Sequence, residues 1–486
     1  MKYRSHCARG QLGWGMAVLL LWVIAPARVE AASVSADDTP PIPADLAYDF
    51  KPVANDENAI IVWRQAASLK APLPDSAKAI IKFCWTPGMA EPTAANLSLL
   101  NSWLKQNREA LDLFAGSLDR RKAQWPERDP KKPQPELVCL PLLIHARLFA
   151  ADQWAEQGQF AAAAKSLAES LRLAELGLEG DAMFMQYLIA SRARTQVQDA
   201  ILRLAGRQSV PLPLSAGLLT NLPSLDTETN LYARILRAEF TRDYNDTLDF
   251  KELSERWRKM SETNAAVFLA WFPEDMRRPF QVLLDPSLVA LHPKPFDLGA
   301  ELGKSIRHYR IYRSNSIVPW TERDNEVQLE DEIARTNLAA DIAPLMELVK
   351  DEPLPLSRQA AQKARAAYLA IDNPIGRIMA TSILGFACSD FKICQVRTER
   401  EATRACLAAI IFERRKGRLP ETLSDLVAEK ILPAVPSDPF CGEPLHYSRS
   451  QRKVWSVSND GTDDHGDSGE GRWLGKDAVW QIPELK

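Results

Sequence analysis

Apolar residues recur every three to four positions through most of the chain from residue 58 to residue 390, which is the spacing of one helix face. The stretch from Thr93 to Arg121 is an example, with an apolar stripe made of Leu97, Leu100, Trp103, Leu104, Leu111 and Phe114. Proline-rich segments such as Trp125 to Glu136 interrupt the pattern, because proline cannot continue a helix. The pattern predicts an all-α body of helical hairpins joined by proline-rich loops.

The most regular stretch runs from Leu142 to Gly177, where two helical patterns meet at Gly158. Glycine suits the position just after a helix, since that position commonly has a positive φ. Phe160 then stands at the corner, and Ala163 provides a small side chain where two helices approach closely. This turn resembles that of a tetratricopeptide-type helix pair. Such units need about three neighbours to bury their faces, so we expect the surrounding helices to be irregular partners.

The pattern changes after Cys394. Arg397 to Gly417 has the periodicity of one more helix, and shorter, strand-like pieces follow it. Residues 444–448 and 454–458 flank a short polar segment, which predicts a β-hairpin, and residues 477–482 predict a third strand.

These patterns predict a mainly α fold in two parts. The first part is an irregular helical-hairpin body over residues 58–394. The second is a small C-terminal α+β module over residues 395–486, with one helix and about three antiparallel strands.

The N-terminus has the three parts of a secretory signal peptide. Lys2, Arg4 and Arg9 supply positive charge, and Gly15 to Ala25 forms a short apolar run. Val29 to Ala31 then places small residues at the positions that a signal peptidase reads. The prediction is a signal peptide over residues 1–31, cut after Ala31.

Residues 32–57 are polar and proline-rich, which predicts an extended leader after the signal. Removal of the signal would place the protein in the periplasm or outside the cell. The alternative is an uncleaved N-terminal membrane anchor. No later segment is apolar enough to span a bilayer, so we expect no transmembrane span after cleavage.

Charge and cysteine content narrow the class of protein. The net charge of −3 gives no global attraction to nucleic acid, so no nucleic-acid partner is predicted. Removal of Cys7 with the signal would leave six cysteines, an even number that permits disulfides in an oxidising compartment. Two interpretations stay open: a disulfide between Cys388 and Cys394, or buried thiols.

The segment from Ser458 to Trp473, called the acidic loop below, combines five carboxylates with four glycines. Calcium takes six to eight oxygen ligands and mixes carboxylates with backbone carbonyls, which glycines help to point inwards. The candidate carboxylate ligands are Asp460, Asp463, Asp464 and Asp467, with Asp477 or Glu470 completing the set. The alternative is a solvated acidic turn.

The motifs around this loop stand in a specific order, from a helix end through a turn and a strand to the acidic loop. They are Gly417, Leu419-Pro420, Leu423, Leu426, Asp438-Pro439-Phe440, Gly442, Pro444, Tyr447, Ser456, Ser458 and Asp460-Gly461. This order resembles the C-terminal part of the major, G-type pseudopilins of type II secretion, over residues 397–482. The resemblance implies a structural calcium site in the acidic loop.

No sequence motif indicates a catalytic centre. The serine-hydrolase elbow, the HExxH zinc motif, the dinucleotide-binding motif and the P-loop do not occur. His145 and His308 are interpreted as packed or solvated helix residues, not as ligands. The first hypothesis is therefore an exported, non-enzymatic envelope protein that binds a protein partner. The alternative is an exported enzyme that acts on a glycan or peptide in a groove of the body, using carboxylates that need no sequence motif.

Overall fold

The structure of the 486-residue chain is a computed structural model. It describes residues 41–71, 94–120, 122–125, 135–179, 182, 184–222, 225–248, 274–293, 297–324, 326–374, 376–377, 387–469, 471–473 and 476–485. The predicted signal peptide lies outside these residues, as do the first residues of the leader.

The described residues in the first half of the body form eight α-helices. They are α1 (Ala59–Leu69), α2 (Ala94–Gln106), α3 (Arg108–Gly116), α4 (Pro135–Glu156), α5 (Phe160–Leu176), α6 (Phe184–Ala205), α7 (Leu212–Thr220) and α8 (Leu225–Leu248).

The described residues after these contain seven further helices and three strands. The helices are α9 (Glu274–Leu283), α10 (Pro286–Val289), α11 (Leu298–Asn315), α12 (Glu326–Val349), α13 (Arg358–Leu369), α14 (Ala387–Lys416) and α15 (Ser424–Ala428). The strands are β1 (His446–Ser448), β2 (Lys453–Ser456) and β3 (Ala478–Gln481), which form one antiparallel sheet in the order β1-β2-β3. The predicted fold class, mainly α with a small C-terminal α+β module, is confirmed.

The centre of the body is a layer of three helices, α4, α5 and α6, each of which packs against the other two. The chain turns from α4 into α5 at Gly158, which has the predicted positive φ, here +73°. The Gln159 N–H donates to the Trp154 carbonyl at 2.8 Å and closes the end of α4. Ala163 is fully buried beside this turn, so its small side chain lets the two helices approach closely.

One long helix was predicted over the stretch that contains α2 and α3, but the structure breaks it at Asn107. The backbone there has a φ of −100° and a ψ of 11°, outside the helical range. The buried Asn107 side chain accepts a hydrogen bond from the Ala71 N–H at 2.8 Å and donates one to the Trp103 carbonyl at 2.8 Å. The break fits the tendency of asparagine to bond nearby backbone, which a hydrophobic stripe does not reveal.

Helix α14 joins the body to the C-terminal module. It has 30 residues, so it is about 45 Å long. It begins ten residues before the predicted start at Arg397, and position 394, where the body was predicted to end, lies inside it. It packs against α6 and α7 of the body and against β2 and β3 of the module. Body and module therefore share one main hydrophobic core.

A second, smaller hydrophobic cluster lies away from the main core. It is formed by α9, α10, α12 and α13. Tyr368 at its centre donates its hydroxyl hydrogen bond to the Leu283 carbonyl at 2.8 Å, so this buried polar group has a partner.

The described part of the leader is bound to the body. Asp45 accepts two hydrogen bonds from the Arg310 guanidinium, at 3.0 Å each, and its pKa is lowered, chiefly by this hydrogen bond. The Tyr48 N–H donates to the Thr241 hydroxyl at 2.9 Å, and Leu46 is buried in the main core. The leader therefore crosses α8 and α11 as a strap.

None of the helices in the described ranges combines the length and the apolar character that a membrane span requires.

The close contact between Gly206 and Pro483 generates the first prediction. A Cβ atom at Gly206 would lie 2.4 Å from the Pro483 Cβ, so Gly206→Ala forces the C-terminal tail away from the end of α6. We expect the free energy of unfolding to fall by about 1–3 kcal/mol, measured by urea denaturation.

The matched control is Gly217→Ala in α7, where a Cβ atom meets nothing within 4 Å. This variant should be unchanged or more stable, since alanine is the better helix former. Equal stability of the two variants would contradict the tight contact at Gly206.

Candidate functional site

The first three residues of the turn from Asp438 to Gly442 are buried between the strands and α14. The Asp438 carboxylate accepts hydrogen bonds from the Phe440 N–H at 2.9 Å, the Ser456 hydroxyl at 2.8 Å and the Val457 N–H at 3.0 Å. Burial raises the pKa of Asp438, although these three donors favour its charged form. One carboxylate thus fixes the turn to the end of β2, where the acidic loop begins.

Four aromatic rings connect this turn to the body. Phe440 packs against Phe391 of α14 at 5.8 Å between centroids, and against Trp473 at 5.9 Å. Trp320, from the loop after α11, completes the group at 5.7 Å from Phe391. The backbone N–H of Trp320 also donates to the Pro439 carbonyl at 3.1 Å. A body loop and the module therefore bury one aromatic cluster together.

The far end of the acidic loop is anchored by charges. The Glu399 carboxylate of α14 accepts hydrogen bonds from the Thr195 hydroxyl and from the Trp473 indole N–H, the latter at 3.0 Å. Arg472 lies 3.4 Å from Asp199 of α6, and its guanidinium stacks over the Trp480 ring at 4.8 Å. Both ends of the acidic loop are thus held by buried groups, and only its middle is exposed.

In the first part of the acidic loop, the predicted ligands bond to their own surroundings. Asp460 accepts the Thr462 N–H at 3.0 Å. Asp463 accepts the Trp455 indole N–H at 2.9 Å and the His465 N–H at 2.9 Å. Burial would raise the pKa of Asp463, but these hydrogen bonds outweigh it and lower the pKa.

In the second part, Asp467 forms an ion pair with Lys476 at the surface, and this hydrogen bond is the main reason that the pKa of Asp467 is lowered. Asp464 is half-buried, and Glu470 lies outside the described residues. Asp477, just before β3, is fully buried and accepts the Gly466 N–H at 2.7 Å through Oδ2. Burial raises the pKa of Asp477.

A lysine that the sequence analysis did not single out lies inside the acidic loop. The Lys453 side chain is only 7% exposed, and its ammonium donates to the carbonyls of His465 and Gly466 at 2.9 Å each. It also lies 5.2 Å from the centre of the Trp455 ring. Its place as the first residue of β2, on the same side as Trp455, is the signal that would have identified it.

Across the described ranges, no group of three or more His, Cys, Asp and Glu side chains is arranged to hold a metal ion. The structure brings Asp477 and the backbone of Gly466 together, and it turns Asp460, Asp463 and Asp467 towards separate partners. Calcium binding by the acidic loop stays a prediction.

An open groove of about 450 Å³ runs along α11 in the body. It is lined by Gly303, Ile306, Arg307, Arg310, Ile311, Ser314 and Asp324. Arg307 is paired with Glu326 and Glu330, and Arg310 with Asp45 of the leader. The groove thus combines an apolar part with guanidinium groups already oriented by carboxylates.

Both histidines discussed above are packed residues in the structure. His145 lies 2.6 Å from the Gln196 side chain, and burial lowers its pKa to about 4. His308 of α11 is 1% exposed, lies 3.5 Å from Glu330, and also has its pKa lowered to about 4, chiefly by burial. Neither arrangement contains a metal-ligand set among the described residues.

Three cysteine side chains are described in and near the module. Cys394 and Cys406 are buried in α14, and Cys441 is half-buried in the Asp438 turn. Cys394 donates to the Pro439 carbonyl at 3.5 Å, and the side chain of Cys388 lies outside the described residues, so the Cys388–Cys394 disulfide stays a prediction. Burial raises the pKa of Cys406 to about 12, as expected for an unreactive core thiol.

The fold, with one main hydrophobic core shared by the two parts, defines a mainly α protein whose small α+β module is built onto the helical body. No protein-family model matches the chain, and no curated protein or solved structure matches it either.

The Asp438 turn generates the second prediction. Asp438→Ala leaves three buried or half-buried donors without their acceptor, so the free energy of unfolding should fall by about 3 kcal/mol or more. Asp425→Ala is the control, since Asp425 accepts two backbone N–H groups at an exposed site of the same module. It should cost about 1 kcal/mol. Chemical denaturation compares the two, and similar losses would argue against a special role for Asp438.

The buried His308 generates the third prediction. Its pKa of about 4 in the folded protein lies below the ordinary 6.5, so the unfolded chain takes up the proton first. The stabilisation is complete above pH 6.5 and is lost as the pH falls towards 4, by up to about 3 kcal/mol. His308→Gln should flatten unfolding free energy against pH across this window by about that amount. An unchanged slope would show that His308 does not carry the effect.

Proposed function

We propose that this chain is an exported, non-enzymatic protein of the cell envelope, whose helical body binds a protein partner and whose C-terminal module is a structural, cation-binding cap. The observation that carries the proposal is the groove along α11, where arginine and isoleucine side chains lie next to each other. Arginine and apolar side chains are the residue types that protein interfaces favour.

The leader indicates which chemistry this face of α11 recognises. Arg310 binds the Asp45 carboxylate through two parallel hydrogen bonds, the geometry in which guanidinium groups prefer carboxylates. Arg313 adds a hydrogen bond to the Asp45 backbone carbonyl at 2.8 Å. We therefore propose an acidic, partly apolar segment of an envelope protein as the partner. Such a segment would use the same donors as the leader strap.

The module supports this role because it shares one main hydrophobic core with the body. Its first helix is the second half of α14, and its aromatic cluster includes Trp320 of the body. The loop that carries Trp320 directly follows α11 in the chain. A ligand held along α11 would therefore contact the helix that leads into this loop.

The calcium part of the proposal rests on the resemblance to G-type pseudopilins and on one buried atom. Oδ1 of Asp477 makes no hydrogen bond of good geometry within the described part of the chain, although Oδ2 is bonded to the Gly466 N–H and the Asp464 backbone N–H also stabilises the charged carboxylate. A buried carboxylate oxygen without a donor is costly unless a cation or a proton satisfies it.

The alternative of an exported enzyme requires a cleft with converging carboxylates or an accessible histidine–acid pair. The α11 groove contributes two paired arginines and Asp324, and the neighbouring His308–Glu330 pair includes a histidine that is almost fully buried. These features favour recognition over hydrolysis. Turnover of envelope glycans or peptides that disappears when Asp324 is replaced would support the alternative.

The proposed binding role is tested by photo-crosslinking. A benzophenone amino acid at Gly303 would project into the groove without a clash, since a Cβ atom there meets nothing within 4 Å. We expect a discrete protein adduct in intact envelopes, weakened when Arg310→Glu reverses the charge of the groove. The control is the same probe at Gly217, an exposed helical glycine with equally open surroundings. The same adducts from both positions, or none from Gly303, would contradict the proposal.

The calcium part is tested on the full chain, because α14 belongs to body and module alike. With a Kd on the order of 10⁻³ M, about 10 mM calcium should raise the free energy of unfolding by about 1.4 kcal/mol. It should also slow proteolysis within the acidic loop, and Asp477→Asn should abolish both effects. An equal response to magnesium or to added salt would count against a calcium site.

A further inference from the structure

The acidic loop already binds a positively charged group of the chain itself, the ammonium of Lys453. The Lys453 ammonium donates to two successive backbone carbonyls, of His465 and Gly466, at 2.9 Å each. Successive inward-pointing carbonyls are also the backbone ligands that a hard metal ion uses. The ammonium therefore makes contacts of the kind that a bound cation would make.

The backbone of the loop is shaped around this lysine. His465 and Gly466 have φ angles of +59° and +75°, an unusual pair in sequence that turns the chain around the ammonium. A Cβ atom at Gly466 would lie 2.4 Å from Nζ and 2.5 Å from Cε of Lys453, so a larger residue there would require the end of the lysine side chain to move away from its two carbonyls. The close steric contact therefore involves Lys453 and position 466 in particular, not Lys453 and the whole acidic loop.

Asp477 provides the negative charge beside this arrangement. Its Oδ2 accepts the N–H of Gly466, whose carbonyl in turn accepts from Lys453. Its Oδ1 is buried and makes no hydrogen bond of good geometry with the described residues, while the backbone N–H of Asp464 also favours the charged carboxylate. The fully buried Asp477 and the nearly buried Lys453 thus lie on either side of the peptide unit that joins His465 to Gly466. Oδ1 of Asp477 takes no part in these hydrogen bonds.

We propose that the Lys453 ammonium occupies the cation position of the acidic loop, and that calcium binds there only by displacing it. This inference rests on the proposed calcium role, and it explains how the loop keeps its shape without a metal. Calcium needs the same carbonyl oxygens, and two cations cannot share them at contact distance because their repulsion in a buried site is large. Release of Lys453 would also move its side chain off the Trp455 ring.

The test compares Lys453→Met with Lys476→Met, measured by calorimetric calcium titration and by thermal melts in EDTA. Each change removes one positive charge that contacts the acidic loop, but the Lys476 ammonium lies at the surface against Asp467. We expect Lys453→Met to lower the calcium Kd by about tenfold or more relative to the wild type, because the competitor is gone. In EDTA the same variant should melt about 2 °C or more below Lys476→Met, and calcium should restore it.

Each outcome distinguishes the proposed role of Lys453 from the proposed calcium binding. Weak calcium binding that is equal in all three proteins would overturn the role of Lys453 and leave the calcium proposal standing. Tight binding by the wild type with no gain in Lys453→Met would do the same. No binding by any of the proteins would overturn both the displacement and the calcium proposal, and the EDTA melts would then report only the structural contribution of Lys453.

Discussion

Helix α14 is the element on which the rest of the structure depends, because its central turns are buried on every side. Residues 405–411 are all fully or almost fully buried, with α6 and α7 on one flank and the sheet on the other. A helix that is apolar all round is stable only inside a core. The small side chains of Ala402, Ala405 and Ala409 let its neighbours approach closely, so both the body and the module need α14 to complete their packing.

The N-terminal half of the same helix is polar and yet buried, and this sets the alignment of the two parts. Arg397 donates to the Ser316 carbonyl at 2.9 Å, Glu399 binds Thr195 and Trp473, and the buried Arg400 contacts Glu401 at 3.3 Å. Burying such groups costs free energy unless each one finds its partner. The Arg400–Glu401 contact lies within α14, but Ser316, Thr195 and Trp473 lie on other segments. Sliding α14 by one turn would therefore separate Arg397 and Glu399 from their partners.

Hydrophobic periodicity predicted the mainly α body and the small three-stranded sheet, because burial of one face determines both, and the positive φ available to glycine predicted the Gly158 turn. It did not predict the helices in proline-punctuated segments, such as α9 with Pro279 inside it, because proline was taken to end a helix. It also missed the break at Asn107, which arises from a side-chain amide, and it placed the start of α14 ten residues late. The candidate ligands were identified by residue type alone. Lys453 was overlooked because a cationic residue in a predicted hairpin is ordinarily a solvated one.

The contact between Lys453 and Gly466 also constrains how the sequence can change. As long as position 453 carries a long side chain, any residue larger than glycine at position 466 collides with it. A shorter residue at position 453 would remove that collision, and asparagine, which tolerates a positive φ, could then replace the glycine. A change of Gly466 should therefore be accepted more readily once position 453, thirteen residues earlier in the chain, carries a shorter side chain.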